Sequence, residues 1–163
     1  MKGRYKNVVL YDNNVFNHNS MIIIMRRLDD VIHNEIDDNL SRTTAEIGKT
    51  RRTLPDLVKD FVRQGSVIEG VIGLYFGLNG EEINLLAVIE TSEGEGYAEF
   101  DSRFYDIFTD IDLKLSRKYN LGNLNLQVVG SGGTLEDFER EDMQFHAFKD
   151  DKYIGKHVKR IYP

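Results

Sequence analysis

Four carboxylates near the middle of the chain have the residue types and spacing that could support catalysis. Asp106 and Asp110 are four residues apart and Glu99 lies seven before Asp106, so these three would share one face of a helix. Asp112 follows two residues after Asp110. Clustered carboxylates can bind Mg²⁺ or Mn²⁺, or divide acid and base roles when burial separates their pKa values. The alternative interpretation is a solvated acidic helix face.

Two of these aspartates belong to the segment Thr109-Asp110-Ile111-Asp112-Leu113. The segment resembles the D-x-D signature of nucleotidyltransferases, in which alternating carboxylates on a strand hold a divalent metal. The resemblance implies a metal-dependent phosphoryl- or nucleotidyl-transfer enzyme that uses Asp106, Asp110 and Asp112, with Glu99 in support. Two features depart from the signature. Gly130-Ser131 follows the carboxylates instead of preceding them, and the periodicity places both aspartates on a helix, where residues two apart point in different directions.

Other polar motifs give weaker signals of chemistry. The loop Gly130-Ser131-Gly132-Gly133-Thr134 follows a predicted strand, a position where backbone amides can bind phosphate, but it lacks the lysine of a P-loop and an acidic segment follows it. The four histidines have no metal-binding spacing, and the absence of cysteine excludes disulfides and thiolate chemistry. Basic clusters at 49–52 and 156–160 could contact single-stranded nucleic acid. With a formal net charge of −6, we rank nucleic acid below protein as a partner.

Charge is distributed unevenly along the chain. The segment 90–112 holds eight acidic residues and one basic residue, Arg103, whereas both ends of the chain are basic. Solvated surface is the ordinary explanation, and complementary patches for a protein partner or a second copy are the functional one. The residues that we single out for interaction are Glu90, Glu93, Glu95, Asp101, Lys156, Lys159 and Arg160.

Hydrophobic periodicity predicts the elements that must position these residues. Apolar residues at three- and four-residue steps predict helices over about 21–40, 54–64 and 97–119. Asn79-Gly80, between two apolar runs, predicts a β-hairpin with these two residues as its loop. A strand over 124–129 follows a helical crossover, so we expect it to lie parallel to the strand that ends at Ile89. Weaker patterns predict a strand at 7–11, a short helix capped by Thr134 with Asp137, and a last hairpin from 143–148 and 153–161.

Together these elements predict one α+β domain over 1–163. It would contain two N-terminal helices, a β-hairpin, a long packed helix and further strands in one mixed or antiparallel sheet. An N-terminal arm at 1–19, a linker loop at 41–52 and a basic C-terminal tail at 149–163 would flank or connect these elements. We expect the long helix to pack on the sheet face formed by Ile68, Ile72, Leu74 and Phe76. No apolar run approaches the ~18 residues of a membrane span, so we expect no membrane partner.

For function, the sequence favours a non-catalytic protein–protein interaction or assembly subunit without a cofactor, working as a homo-oligomer or with a protein partner. The helix–hairpin–helix–strand order is similar to that of phage tail-terminator and connector proteins, which implies assembly into rings. We therefore expect a cytoplasmic protein or a virion component. Two alternatives stay open: the Mg²⁺- or Mn²⁺-dependent transferase described above, and an acidic inhibitor of the immunity or antitoxin type that blocks a basic active site.

Overall fold

The computed structural model describes residues 18–39, 45–91, 103–142 and 154–163, in which helices cover a mixed sheet of four strands. In chain order the elements are α1 (His18–Asn39), α2 (Ala45–Gly65), β1 (Val71–Asn79), β2 (Glu82–Ile89), α3 (Arg103–Tyr119), β3 (Leu124–Gly130), α4 (Leu135–Asp137) with a following π turn (Phe138–Asp142), a 3₁₀ turn (Ile154–His157) and β4 (Lys159–Tyr162). The predicted α+β class is confirmed. The predicted strands at 7–11 and 143–148 lie outside the described residues, as do most of the N-terminal arm and part of the C-terminal tail.

The sheet has the strand order β3-β2-β1-β4. β1 and β2 form the predicted hairpin, but its loop is Gly80-Glu81 because Asn79 already pairs with Glu82. Gly80 has φ +59°, at the position where a type II′ turn prefers glycine. β3 lies parallel to β2, as predicted, with pairs from Ile83–Leu124 to Ile89–Gly130. β4 pairs antiparallel with β1, so β3 and β4 are the outer strands of this sheet.

The two faces of the sheet have separate apolar cores. The larger core joins Leu74 and Phe76 to side chains of α1, α2 and α3, and the smaller one places Phe138 and Ile154 on the opposite face. Ile72 belongs to the smaller core, so its predicted position beside Leu74 is wrong. A register shift between Val71 and Gly73 inserts one residue into the strand, and a one-residue shift moves a side chain to the other face.

The helices divide the sheet face differently from the prediction. α1 and α2 lie against β1, whereas α3 contacts β3 and α2. α2 also begins at Ala45, so residues 45–52 of the predicted linker are helical. Thr53 is therefore inside the helix and not its cap, and its hydroxyl donates to the carbonyl of Lys49 at 3.0 Å. Tertiary packing explains the longer helix, because Thr50 and Leu54 are both buried.

Part of the predicted basic tail is a structural strand. Lys159 and Arg160 lie in β4, where Lys159 Nζ is 2.8 Å from Glu35 Oε1 and Arg160 Nε is 3.2 Å from Glu139 Oε1. Glu35 is only 5% exposed, and its Oε2 accepts the backbone N–H of Leu78 at 3.1 Å. The pairing of β4 with β1 ends at Phe76–Lys159, so Glu35 supplies an acceptor for β1 just beyond β4.

We predict that Glu35→Ala lowers the free energy of unfolding by about 2 kcal/mol, because the buried N–H of Leu78 loses its acceptor. Glu35→Gln keeps an acceptor oxygen and loses only the ion pair with the exposed Lys159, so its loss should be under about 1 kcal/mol. Urea unfolding of the two variants measures the difference. Equal losses would show that the ion pair, and not the backbone hydrogen bond, is what Glu35 contributes.

A second prediction concerns Asn84 of β2, which is fully buried with neither amide atom paired among the described residues. An unsatisfied buried amide costs about 1–3 kcal/mol. Asn84→Val should therefore raise the free energy of unfolding by about 1 kcal/mol or more. Asn84→Ala, which cannot overpack, serves as the control for steric strain. A lower free energy of unfolding in both variants would show that the buried amide of Asn84 does not destabilise the protein.

Candidate functional site

The predicted carboxylates of α3 point to two different sides of the helix. Asp106 and Asp110 are exposed, and Asp110 Oδ2 lies 2.5 Å from Lys114 Nζ. Asp112 is half-buried on the side facing β3, and its Oδ1 accepts a hydrogen bond from Ser116 Oγ at 3.3 Å. Glu99 lies outside the described residues. Within the described ranges no group of three metal-binding side chains comes together, so the structure does not bring Asp106, Asp110 and Asp112 into one site.

A groove of about 280 Å³ runs between α3 and β3. Its lining consists of Tyr105, Phe108, Thr109, Asp112, Leu126, Gln127, Val128 and Val129. Burial raises the pKa of the Asp112 carboxyl, and the hydrogen bond from Ser116 opposes that rise only in part. Asp112 is thus a half-buried hydrogen-bond acceptor in a groove lined mainly by apolar side chains.

The outer edge of β3 completes this groove. Ile83 N–H donates to Asn123 C=O at one end of the β2–β3 pair, and Ser131 N–H donates to Ile89 C=O at the other. In a parallel pair alternate residues bond to the neighbour, so the odd-numbered residues of β3 bond to β2. The backbone groups of Leu124, Leu126 and Val128 therefore point outward. β3 contains no charged residue and no proline, the usual protections of an edge strand.

One exposed side chain of α3 adjoins this edge. Tyr105 is 44% exposed and lines the groove. We define the α3–β3 surface as Tyr105, Thr109 and Asp112 of α3 together with residues 124–128 of β3. Periodicity alone could not reveal this surface, because an apolar strand looks the same at the centre of a sheet and at its edge.

An ion-pair cluster between α2 and α3 fixes the helix beside β3. Asp60 Oδ2 accepts from Lys118 Nζ at 2.6 Å and from the Tyr119 hydroxyl at 2.5 Å, and Arg63 Nη1 lies 3.3 Å from Asp60 Oδ1. Burial raises the pKa of Tyr119 to about 12, and its hydrogen bond to Asp60 acts in the same direction. Burial alone would raise the pKa of Asp60, but the hydrogen bonds from Lys118 and Tyr119 lower it overall. Lys49 adds a further contact by donating to the carbonyl of Asn120.

The glycine-rich loop after β3 uses its polar groups internally. Ser131 is buried, and its Oγ accepts the N–H of Thr91 at 3.1 Å, while Gly132 N–H donates to Thr91 Oγ1 at 2.6 Å. Thr134 caps α4 as predicted, because its Oγ1 accepts the N–H of Asp137 at 3.0 Å. The loop therefore joins the ends of β2 and β3, and the Gly132 amide points to Thr91.

The predicted interaction residues lie in different environments. Glu90 is half-buried after β2, and its N–H donates to Gly70 C=O at 2.8 Å. Lys159 and Arg160 are paired within the chain, as described above. Glu93, Glu95 and Asp101 lie outside the described residues, as does the side chain of Lys156. Their interaction role stays a prediction.

No protein-family model, curated protein or solved structure matches this chain. Of the helices in the described ranges, none has the length and apolarity required to cross a membrane. The candidate site is therefore identified from the geometry of this chain alone, and that site is the α3–β3 surface.

We predict a pH dependence from the cluster around Asp60. The pKa of Tyr119 is about 12 in the folded state against 10.0 for an ordinary tyrosine, so the native state holds the phenol proton more tightly. Stability should therefore fall as the pH rises from about 10 to 12. Tyr119→Phe should show a smaller fall over this window in urea unfolding. Equal slopes for Tyr119→Phe and the wild type over this window would refute the role given to Tyr119.

Proposed function

We propose that this chain is a non-catalytic assembly subunit that associates with further copies of itself through the α3–β3 surface. The observation that supports the proposal is the outer edge of β3, whose outward backbone groups have neither charge nor proline to protect them. Such an edge is a template for pairing with another chain. The exposed side chain of Tyr105 and the apolar lining of the groove beside it add contact area for a protein interface.

The lining of the groove favours binding over catalysis. Phe108, Leu126 and Val128 supply apolar surface, and Asp112 offers one carboxylate that can accept a donor. Asp106 and Asp110 lie on another side of the helix, so they cannot share a metal with Asp112 without rearrangement. A groove of this composition suits an extended or helical segment of protein.

The biological setting that we propose is a ring-forming phage or virion component. The order of helix, hairpin, helix and strand along the chain supports it, by analogy of fold alone. The analogy suggests a closed arrangement of identical subunits, for which each copy must present two different surfaces.

We predict that the purified protein has a mass above that of one chain in light scattering, increasing with concentration. Tyr105→Ser removes an apolar side chain from the α3–β3 surface and should weaken association roughly 30-fold, since burying such a side chain stabilises by about 2 kcal/mol. Val67→Ser is the matched control, because Val67 is 57% exposed in the turn after α2 and should leave association unchanged. A wild-type protein that stays monomeric at its highest soluble concentration would refute the proposed function.

A further inference from the structure

The outward backbone groups of β3 are self-complementary. Leu124, Leu126 and Val128 direct their N–H and C=O groups away from β2, and this pattern is symmetric about Leu126. Among the residues that the structure describes, no strand pairs with this edge. An antiparallel copy of β3 presents a matching pattern when Leu126 lies opposite Leu126 and Leu124 lies opposite Val128. Because the two residues of a hydrogen-bonded antiparallel pair exchange two bonds, such an arrangement would form about six backbone hydrogen bonds.

The side chains of the same three residues also match in this arrangement. Leu124, Leu126 and Val128 are half-buried and pack against the larger core, so they share one face of the sheet. Each cross-strand pair is then apolar, because Leu126 contacts its own copy and Leu124 contacts Val128. The other outer strand, β4, matches β3 less well, since Lys159 and Arg160 would bring charged side chains beside apolar ones.

The helix that lies above β3 adds charge complementarity. Asp112 and Leu126 line the same groove, so a two-fold axis through Leu126 passes close to the middle of α3. A helix that connects two parallel strands runs back antiparallel to them, so α3 and its copy would lie antiparallel across this axis. Up to Asp112 the helix carries one basic and three acidic residues, and beyond Asp112 it carries three basic residues and no acidic one. The acidic half of each helix would therefore lie beside the basic half of the other.

We infer that β3 pairs with β3 of a second copy, antiparallel and centred on Leu126, so that the two four-stranded sheets join into one continuous sheet. The contact is isologous, because the same surface of each copy contacts the other. The inference rests on the proposed function and names the segment of the second copy that the α3–β3 surface binds. A ring of such subunits would consist of these pairs joined through a second surface.

The chain contains no cysteine, so single substitutions test this geometry by disulfide trapping. In Leu126→Cys, two copies of one cysteine would lie about 5.5 Å apart at Cα, a separation that a disulfide can span. Leu124→Cys should react with Val128→Cys in a mixture of the two proteins. Neither should react with itself, because the two copies of residue 124 would lie roughly 13 Å apart along the strands. Val67→Cys, exposed in the turn after α2, measures the background from random collision.

We expect covalent dimers from Leu126→Cys alone, and from Leu124→Cys mixed with Val128→Cys, in yields roughly tenfold above that of Val67→Cys, because pairing raises the local thiol concentration. Self-reaction of Leu124→Cys at the yield of Leu126→Cys would refute the antiparallel register. Thermal melting of each variant confirms that the fold is intact before trapping. The mixed pair keeps the test decisive even if Leu126→Cys fails to fold.

A second measurement uses the carboxylate near the axis. The two copies of Asp112 would approach each other, each still accepting a hydrogen bond from its own Ser116. Asp112→Asn removes the like charges, so we expect it to tighten association roughly threefold in light scattering. Asp110→Asn is the matched control, because Asp110 lies on another side of the helix beside Lys114, and it should not tighten association. Unchanged or weaker association of Asp112→Asn would contradict the position of the axis.

The outcomes separate this inference from the proposed function. A wild-type protein that oligomerises in light scattering, without a disulfide in Leu126→Cys or in the mixed pair, would overturn the inference and leave self-association standing. A monomeric wild-type protein would overturn both.

Discussion

The whole structure depends on burying both faces of β2. Every residue of this strand from Ile83 to Ile89 is buried, so the chain must cover two sides of the sheet and supply a neighbour on each edge of the strand. α1, α2 and α3 cover one face, and the segments around Phe138 and Ile154 cover the other. The packing on each face is stabilised mainly by the apolar surface that it removes from water. β1 and β3 flank β2, which leaves β3 and β4 as the outer strands.

The two outer strands, β3 and β4, differ in the contacts that protect their edges. β4 is held by ion pairs from Lys159 to Glu35 and from Arg160 to Glu139, and Glu35 also satisfies a backbone group of β1 beyond the end of β4. α3 lies above one face of β3 and is held in place by the Asp60 cluster. Among the described residues, none pairs with the outer backbone groups of β3. If the chain self-associates as we propose, this asymmetry favours pairing at the β3 edge over the β4 edge.

Electrostatics reinforces the same division. The acidic residues of α3 stay largely solvated, and Asp112 alone turns into the groove, where burial raises its pKa. Lys159 and Arg160, near the C-terminal end, pair with Glu35 and Glu139 inside the fold. Exposed charges of this kind contribute little to the stability of the fold.

Local patterns in the sequence were sufficient for the α+β class, the hairpin, α3, the parallel β3 and the cap at Thr134, because each depends on periodicity or turn chemistry within a short segment. The same patterns could not place Ile72, since a bulge reverses the face of a side chain without changing the composition of the strand. They also missed the extension of α2 to Ala45, where buried contacts at Thr50 and Leu54 outweigh weak local propensity. The groove, the open edge of β3 and the internal pairing of Lys159 and Arg160 were decided by the tertiary structure alone. Each depends on which segments become neighbours in space, and separation along the chain does not determine that.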